Sequence, residues 1–353
     1  MELIDKISFN TSINQEVTRI IKRIDDFEIS WDNIEISEKR ELFELKRIAT
    51  VQSIGSSTRI EGSTMSDVEV NTLIKDVKIT SMESRDEQEV VGYYEVLDQI
   101  HESFESMDLN ENIIKQLHSM LLRHSSKDQR HKGDYKNLSN KVVATYPDGT
   151  ERVVFKTTEP HLTGKEMFEL VNWVADAQTK AEIHPIIVVA VFVYEFLSIH
   201  PFQDGNGRLS RLLTTLLLLK SKYRFVQYIS FENHIEHHKE AYYSALMNGQ
   251  KHRNSAAELI EEWVLFFVGC LNSLTDKLQV KYEALNKKTH YLSDRHKKII
   301  AFIQKNKMVK FGDVSKGFKN INPSSIKKDL AYLSQIQAIN KRGVLKATEY
   351  FIL

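Results

Sequence analysis

Residues 185–199, PIIVVAVFVYEFLSI, are apolar around almost the whole circumference of a helix. Such a helix has no solvent face and must lie at the centre of other elements. Pro185 suits its first turn, where a missing N–H costs nothing, and His200-Pro201 ends it. A second apolar helix starts near Gly207 and runs through LSRLLTTLLLL. Both stretches are shorter or more interrupted than the roughly 20 apolar residues of a membrane span. The expectation is a soluble bundle built around these two helices, with no membrane partner.

The remaining sequence supplies helices to surround them. Gly (13) and Pro (5) are scarce in 353 residues, against usual shares of roughly 7% and 5%. In residues 38–54, Leu42, Leu45, Ile48 and Val51 form a stripe at three-residue intervals. Asp67, before Val68 and Val70, reads as a helix N-cap. Helical spacing recurs over 86–105, 111–123, 166–177, 236–248 and 255–285. Residues 140–158 break the pattern: β-branched residues flank Pro147-Asp148-Gly149, a hairpin signal. A lone hairpin is marginal in water, so it must lean on the helical body.

Charge divides the chain differently. The 48 basic and 48 acidic residues cancel, which excludes a polyelectrolyte, and 41% hydrophobic residues exclude wholesale disorder. Yet residues 291–353 hold 13 Lys/Arg and 4 Asp/Glu. That asymmetry marks a separate domain. The expected division is an N-terminal helical region (1–100), a catalytic region (101–285) and a basic domain (291–353). The single cysteine, Cys270, permits no intrachain disulfide. It fits a reducing compartment, and the N-terminus lacks the apolar core of a signal peptide. A cytoplasmic location is expected.

The chemistry concentrates between the two apolar helices, in His200-Pro201-Phe202-Gln203-Asp204-Gly205-Asn206-Gly207-Arg208-Leu209-Ser210-Arg211. Glycines let backbone N–H groups approach a ligand. The N-terminus of the next helix aims its unsatisfied N–H groups at the same place, an anion cradle. Arg208 and Arg211 share a helix face, and the planar guanidinium fork binds two phosphate oxygens. Asp204 is a hard oxygen ligand suited to Mg2+, and His200 can accept a proton near neutral pH.

The pattern HPFxDGNGRxxR is the signature of the Fic family, and all nine of its fixed positions are present. Over about 40–280 the chain resembles that family. The resemblance extends to the helix ending in YEFLSI and to the hairpin, which is preceded by Gly133-Asp134-Tyr135-Lys136 and resembles the flap that positions a target. One departure is Val193, where many relatives carry His; it is read as a packing change. The resemblance implies transfer of AMP from ATP to a hydroxyl of a target protein. On that reading His200 deprotonates the attacking Ser, Thr or Tyr, and Asp204 holds Mg2+ on the α- and β-phosphates. Asn206 and the backbone of Gly205 and Gly207 cradle the α-phosphate, Arg208 grips the phosphates, and Arg211 takes the γ-phosphate. Phe202 anchors the loop in the core. Tyr242, Tyr243 and Gln250 fall at the spacing of the adenine-binding residues, although core packing explains Tyr242 at least as well. Val142 and Val143 would cover the nucleotide.

Upstream, Ser57-Thr58-Arg59-Ile60-Glu61-Gly62 matches the family's (S/T)xxxE(G/N) inhibitory motif. Ser57 and Glu61 lie one turn apart on one helix face, and Gly62 suits a helix stop. The resemblance implies that Glu61 pairs with Arg211 and takes the γ-phosphate position.

The fold class expected is therefore mostly α: a Fic-type helical bundle with a β-hairpin flap, followed by a winged-helix domain. In 291–353 a helix, a short extended piece, two further helices and a two-stranded wing carry the surplus positive charge. DNA and protein are both open as partners there. His234, His237 and His238 match no metal-site spacing and read as an exposed helix start. Two other functions stay open. One is a nucleotide-sensing, DNA-binding regulator; the other is a Fic enzyme that removes AMP or transfers another phosphate-containing group. Relatives often dimerise, and exposed helices leave a homodimer open.

Overall fold

The apolar segment forms a helix over Pro185–Ile199 in which every residue from Val188 to Ile199 is buried. The structure, a computed structural model, describes residues 5–37, 39–76, 82–145, 151–255, 257–289, 293–335, 338–343 and 348–352. Its contacts divide the chain into two units, Met1–Val280 and Lys281–Leu353.

In the first unit a 3-10 turn at Asp5–Ile7 leads into α1 (Thr11–Ser37), α2 (Lys39–Ile60), α3 (Asp67–Asp76), α4 (Arg85–Ser103) and α5 (Glu111–Leu121). A hairpin of β1 (Lys141–Thr145) and β2 (Glu151–Lys156) follows. Then come α6 (Pro160–Lys180), α7 (Pro185–Ile199), α8 (Asn206–Lys220), α9 (Phe231–His237), α10 (Lys239–Gln250) and α11 (Glu261–Thr289). The last residues of α11 fall in the second unit. Among the described residues no helix is long and apolar enough to cross a membrane.

α7 packs between α6 and α8. Fully burying one Val, Leu, Ile or Phe side chain is worth about 1.5–3 kcal/mol relative to exposure, so this helix is a large part of the core. Its backbone is used too: Trp263 on α11 donates its indole N–H to the Ala190 carbonyl at 2.7 Å. Helices before residue 100 belong to the same body, since α2 packs on α4 and α9.

Local readings hold in part. Leu42, Leu45 and Val51 are buried, but Ile48 is 38% exposed. A strict three-residue step falls behind the 3.6-residue turn, so the buried stripe moves from Leu45 to Ala49 instead. α3 is capped by Ser66, not Asp67. The Ser66 hydroxyl accepts from the Glu69 N–H, and the Glu69 carboxylate accepts from the Ser66 N–H at 2.8 Å. α2 ends as expected at Gly62 (φ +104°): the Ser63 N–H reaches Thr58 O, and the Gly62 N–H reaches Arg59 O. This reciprocal pair needs a left-handed residue.

The hairpin pairs Lys141 with Lys156 and Thr145 with Glu151, with a bulge between Val142 and Val143. The expected Pro147-Asp148-Gly149 turn lies outside the described residues. His234 is buried and stacks on His238 at 4.2 Å, whereas His237 and His238 are exposed.

In the second unit α12 (Asp294–Asn306), β3 (Met308–Lys310), α13 (Phe311–Gly317), α14 (Pro323–Gln335), β4 (Asn340–Arg342) and β5 (Glu349–Phe351) occur in the expected order. β3 joins the two later strands, giving an antiparallel sheet ordered β3-β5-β4. Ile299, Ile303, Val314, Ile326, Leu330 and Leu333 form its core.

α4 and α5 approach so closely that a Cβ at Gly92 would overlap the Leu121 carbonyl oxygen. Backbone cannot rotate away as a side chain does. Gly92→Ala should lower the urea midpoint of the first unit, at a cost of about 1–3 kcal/mol; an unchanged midpoint would show the helices are free to separate.

Candidate active site

α7 ends where His200 adopts φ +52°, ψ +62°, and the His200 N–H still reaches the Phe196 carbonyl at 2.9 Å. α8 begins after Gly205, whose φ of +78° is costly for a residue with a Cβ. Between them the turn is tied to itself. The Asn206 side chain accepts from the Phe202 N–H at 2.9 Å and donates to the Phe202 carbonyl at 2.7 Å. Both polar groups of that side chain are therefore spent inside the turn; what Asn206 can offer a ligand is its backbone N–H. Phe202 is fully buried and stacks on His118, with centroids 3.7 Å apart.

His118, on α5, holds the turn from the other side. The Gly133 N–H donates to its Nδ1 at 2.9 Å, so Nε2 carries the proton and donates to the Asp204 carbonyl at 3.0 Å. Burial brings its pKa down to about 4, which keeps this tautomer neutral and fixed.

The His200 ring lies with Nδ1 3.4 Å from the Leu197 carbonyl. A carbonyl only accepts, so Nδ1 is the protonated nitrogen and Nε2 keeps its lone pair. Burial, then the nearby Lys136 ammonium, lowers the His200 pKa to about 4; Leu197, Glu61 and Asp204 act the other way without prevailing. A neutral imidazole with a free Nε2 is a base ready to use.

Arg208 and Arg211 project from the first turns of α8 and are enclosed, with side chains 2% and 3% exposed. Arg211 donates from Nε to Ser57 Oγ at 2.8 Å, and from Nη2 to Ser57 O at 3.0 Å and Glu61 Oε1 at 2.8 Å. The structure thus brings Ser57 and Glu61, at the end of α2, onto Arg211. Burial would raise the Glu61 carboxyl, but Arg211, Arg208 and His200 hold it below the usual carboxylate range. Its side chain is still 34% exposed. A Cβ on Gly207 would overlap the Glu61 carboxylate, so a glycine is what admits Glu61 to the helix start.

Arg208 has looser company. Glu89 on α4 lies 3.3 Å from Nη1 and Asp204 3.4 Å from Nη2. Its Nε and Nη1 are buried with no hydrogen-bond partner among the described residues. A guanidinium left with unpaired donors is poised for an anion. Asp204 Oδ1 accepts from the Gly205 N–H at 2.6 Å, while among the described residues Oδ2 has one ion-pair contact, Arg85 at 3.9 Å. Burial raises the Asp204 carboxyl, yet Arg208, the Gly205 N–H and Arg85 bring it below its ordinary value. Among the described residues no group of three or more His, Cys, Asp or Glu is arranged to hold a metal. One ionised carboxylate with an open oxygen fits magnesium that arrives on phosphates, since Mg2+ keeps waters and needs few protein ligands.

The adenine-side expectations divide. Tyr242 is core: it is buried and meets Trp263 edge-on at 5.5 Å. Tyr243 is half-buried, and Glu61 and Arg211 lie close enough to act on its hydroxyl, which burial pushes up to about 12. Gln250 is buried and donates to Ser198 Oγ at 3.0 Å, which leaves it facing α7. Val142 and Val143 lie on β1, but their side chains are outside the described residues. His118 and Glu89 were not foreseen. Each is a single residue on a distant helix, with no spacing to announce it.

Residues 108–218 match the family model described as Fic/DOC family. The curated relatives include "Protein adenylyltransferase Fic" of Drosophila grimshawi and of Drosophila melanogaster. Each is 28% identical over 180 residues, half of this chain. The match spans about a third of those relatives' length (35% and 34%). Among solved structures, a Fic family protein from Desulfovibrio desulfuricans superposes with a TM-score of 0.64 at 21% identity, covering 99% of this chain and 98% of that one. A Fic domain-containing signaling protein from Bacteroides thetaiotaomicron gives 0.61 at 21% identity, over 74% of this chain and 97% of that one. The fold, the turn between α7 and α8 and these matches converge on one segment: residues 108–218 form a Fic/DOC-family domain.

Proposed function

We propose that the protein transfers AMP from ATP to a Ser, Thr or Tyr hydroxyl of a target protein. The observation that carries this reading is the combination at one turn of a neutral His200, a buried Arg208 with unpaired donors and the start of α8. In the reaction the hydroxyl oxygen attacks the α-phosphorus, the bond to the β-phosphate bridging oxygen breaks, and pyrophosphate leaves. His200 Nε2 takes the hydroxyl proton. The N–H groups at the start of α8 and Arg208 stabilise charge on the phosphates; such a displacement depends mainly on positioning and electrostatics. Asp204 would hold magnesium, which supplies charge neutralisation on the phosphates when bound.

On the same reading Glu61 is an inhibitor built into α2. Its carboxylate occupies the Arg211 donor that a γ-phosphate would use. Glu61→Gly, incubated with α-labelled ATP, magnesium and lysate, should label protein at least about tenfold more than wild type, since a released charge-assisted pair of about 1.5–3 kcal/mol corresponds to that factor or more. His200→Ala in the same background should abolish labelling and retain ATP binding. No gain on removing Glu61, with ATP bound, rules out inhibition by this carboxylate.

The protonation of His200 sets the pH dependence. The folded pKa is near 4, so the base is available at every pH above that value and is lost only below it. The kcat/KM of the Glu61→Gly variant should stay level from pH 8 down to about 5.5; a fall centred near 6.5, the free imidazole value, contradicts an enclosed neutral base.

A second activity is favoured by the basic unit. We propose that residues 291–353 are a winged helix that binds duplex DNA through α14. Ser324, Lys327, Lys328 and Ala331 are exposed on the face of α14 opposite buried Ile326, Leu330 and Leu333. Lys341 and Arg342 are exposed on edge strand β4. Duplex binding should weaken steeply with salt, and Lys327→Glu/Lys328→Glu should weaken it further and flatten that slope. Binding that ignores both charges rules out this face.

A further inference from the structure

The backbone on either side of His200 presents carbonyls that the helix itself cannot satisfy, because the last turn of α7 has no following residues to donate to them. Three of them are taken by the segment that leads into the hairpin. Lys136 donates from Nζ to the Ile199 carbonyl at 2.9 Å. Its own backbone N–H donates to the Pro201 carbonyl at 2.8 Å. Asn140 donates from Nδ2 to the Phe202 carbonyl at 2.9 Å. His200 is therefore bracketed before and after by one short stretch of chain.

The same ammonium grips both feet of the hairpin. Lys136 Nζ also donates to Asn140 Oδ1 at 2.9 Å, just before β1, and to Thr157 Oγ1 at 2.8 Å, just after β2. All three donors of the ammonium are used. Thr157 in turn donates to Asn140. Lys136 is buried, which an unpaired lysine would not tolerate.

We infer that Lys136 is a positioning residue that fastens the hairpin and the His200 turn into one rigid body, so that the segment meant to align the target hydroxyl is in register with the base that deprotonates it. This rests on the transferase reading for its consequence in catalysis, but not for its structural content. Without the ammonium the two hairpin feet keep their bonds to each other and the Asn140 bond to Phe202, but lose the shared cation, and the Ile199 carbonyl loses its partner. A second effect follows from charge. Lys136 is a cation acting on His200 and opposes its protonation, while Glu61 and Asp204 favour it. Removing the ammonium therefore raises the His200 pKa.

The test uses the full chain with Lys136→Met, which keeps much of the stem and removes the ammonium, and with Lys136→Arg, which restores a cation. Hydrogen exchange and the His200 ring titration are read in the wild-type background, and kinetics in the Glu61→Gly background. Lys136→Met should speed exchange of residues 141–145 and 151–156 at least tenfold, while α4 keeps its protection. The His200 titration should move up by about half a unit or more. For transfer, kcat should fall at least tenfold with the KM for ATP little changed, and Lys136→Arg should recover part of it. Unchanged hairpin exchange together with an unchanged His200 titration overturns the inference, whether or not any transfer is detected. If Lys136→Met also loosens α4, the second variant decides. Thr157→Val removes one acceptor and keeps the shape, and it must loosen the hairpin alone; hairpin exchange at the wild-type rate overturns the inference.

Discussion

Two buried guanidinium groups set the terms for the rest of the first unit. A buried charge without a partner costs several kcal/mol, and α8 carries Arg208 and Arg211 almost fully out of solvent. Counter-charge has to come from other helices. Glu61 arrives from α2, Glu89 from α4 and Asp204 from the turn itself. The placement of α2 and α4 against α8 is thus an electrostatic requirement as well as a packing one. It explains why the helices before residue 100 are part of this body. It also explains why the two arginines differ. Arg211 donates three hydrogen bonds to Ser57 and Glu61, whereas Arg208 Nε and Nη1 make none among the described residues, although Glu89 stands 3.3 Å from Nη1. On the proposed reading, an incoming polyphosphate would meet one arginine with open donors and one that must first exchange its partner.

The turn keeps its shape through contacts that leave its inward edge free. Asn206 fastens Phe202, His118 stacks on Phe202 and fixes the Asp204 carbonyl, and the Lys136 segment takes the carbonyls flanking His200. None of these bonds uses an N–H group of the first turn of α8. Rigid backing with an open front is what electrostatic preorganisation requires, since donors that need not reorganise stabilise developing charge at no further cost.

How much of this was legible in the sequence follows from how local each feature is. The buried helix pair, the turn chemistry and the Ser57–Glu61 spacing lie within single short segments, and their residue types state their role. Ile48 and Ser66 show the limit of local reading. Periodicity located the α2 stripe but missed its drift by one position, and Asp67 looked like the cap when the hydroxyl beside it does that work. Asn206 shows another limit. Its place in the motif suggested a phosphate contact, yet its side chain is used to close the turn. His118, Glu89 and the bracketing action of Lys136 depend on pairs dozens of residues apart, where one sequence offers no spacing to read.

The pairing of Glu61 with Arg211 also limits how inhibition of the proposed kind is relieved. Neighbouring Arg211, Arg208 and His200 depress the Glu61 pKa, so the carboxylate stays charged through the neutral and mildly acidic range and protonation does not free Arg211. Release requires either swinging the Glu61 side chain off Arg211 or moving the end of α2. That end is fastened elsewhere: Arg59 makes a two-point pair with Glu236 on α9 at 2.7 and 3.0 Å, and Lys239 donates to the Ile60 carbonyl at 2.8 Å. A nucleotide that displaces Glu61 in place therefore works against the ion pair alone, whereas one that requires α2 to retract works against the α9 and α10 contacts as well. The free energy of those contacts is subtracted from nucleotide affinity in the second case, since a ligand's apparent affinity falls with the fraction of protein in the competent state.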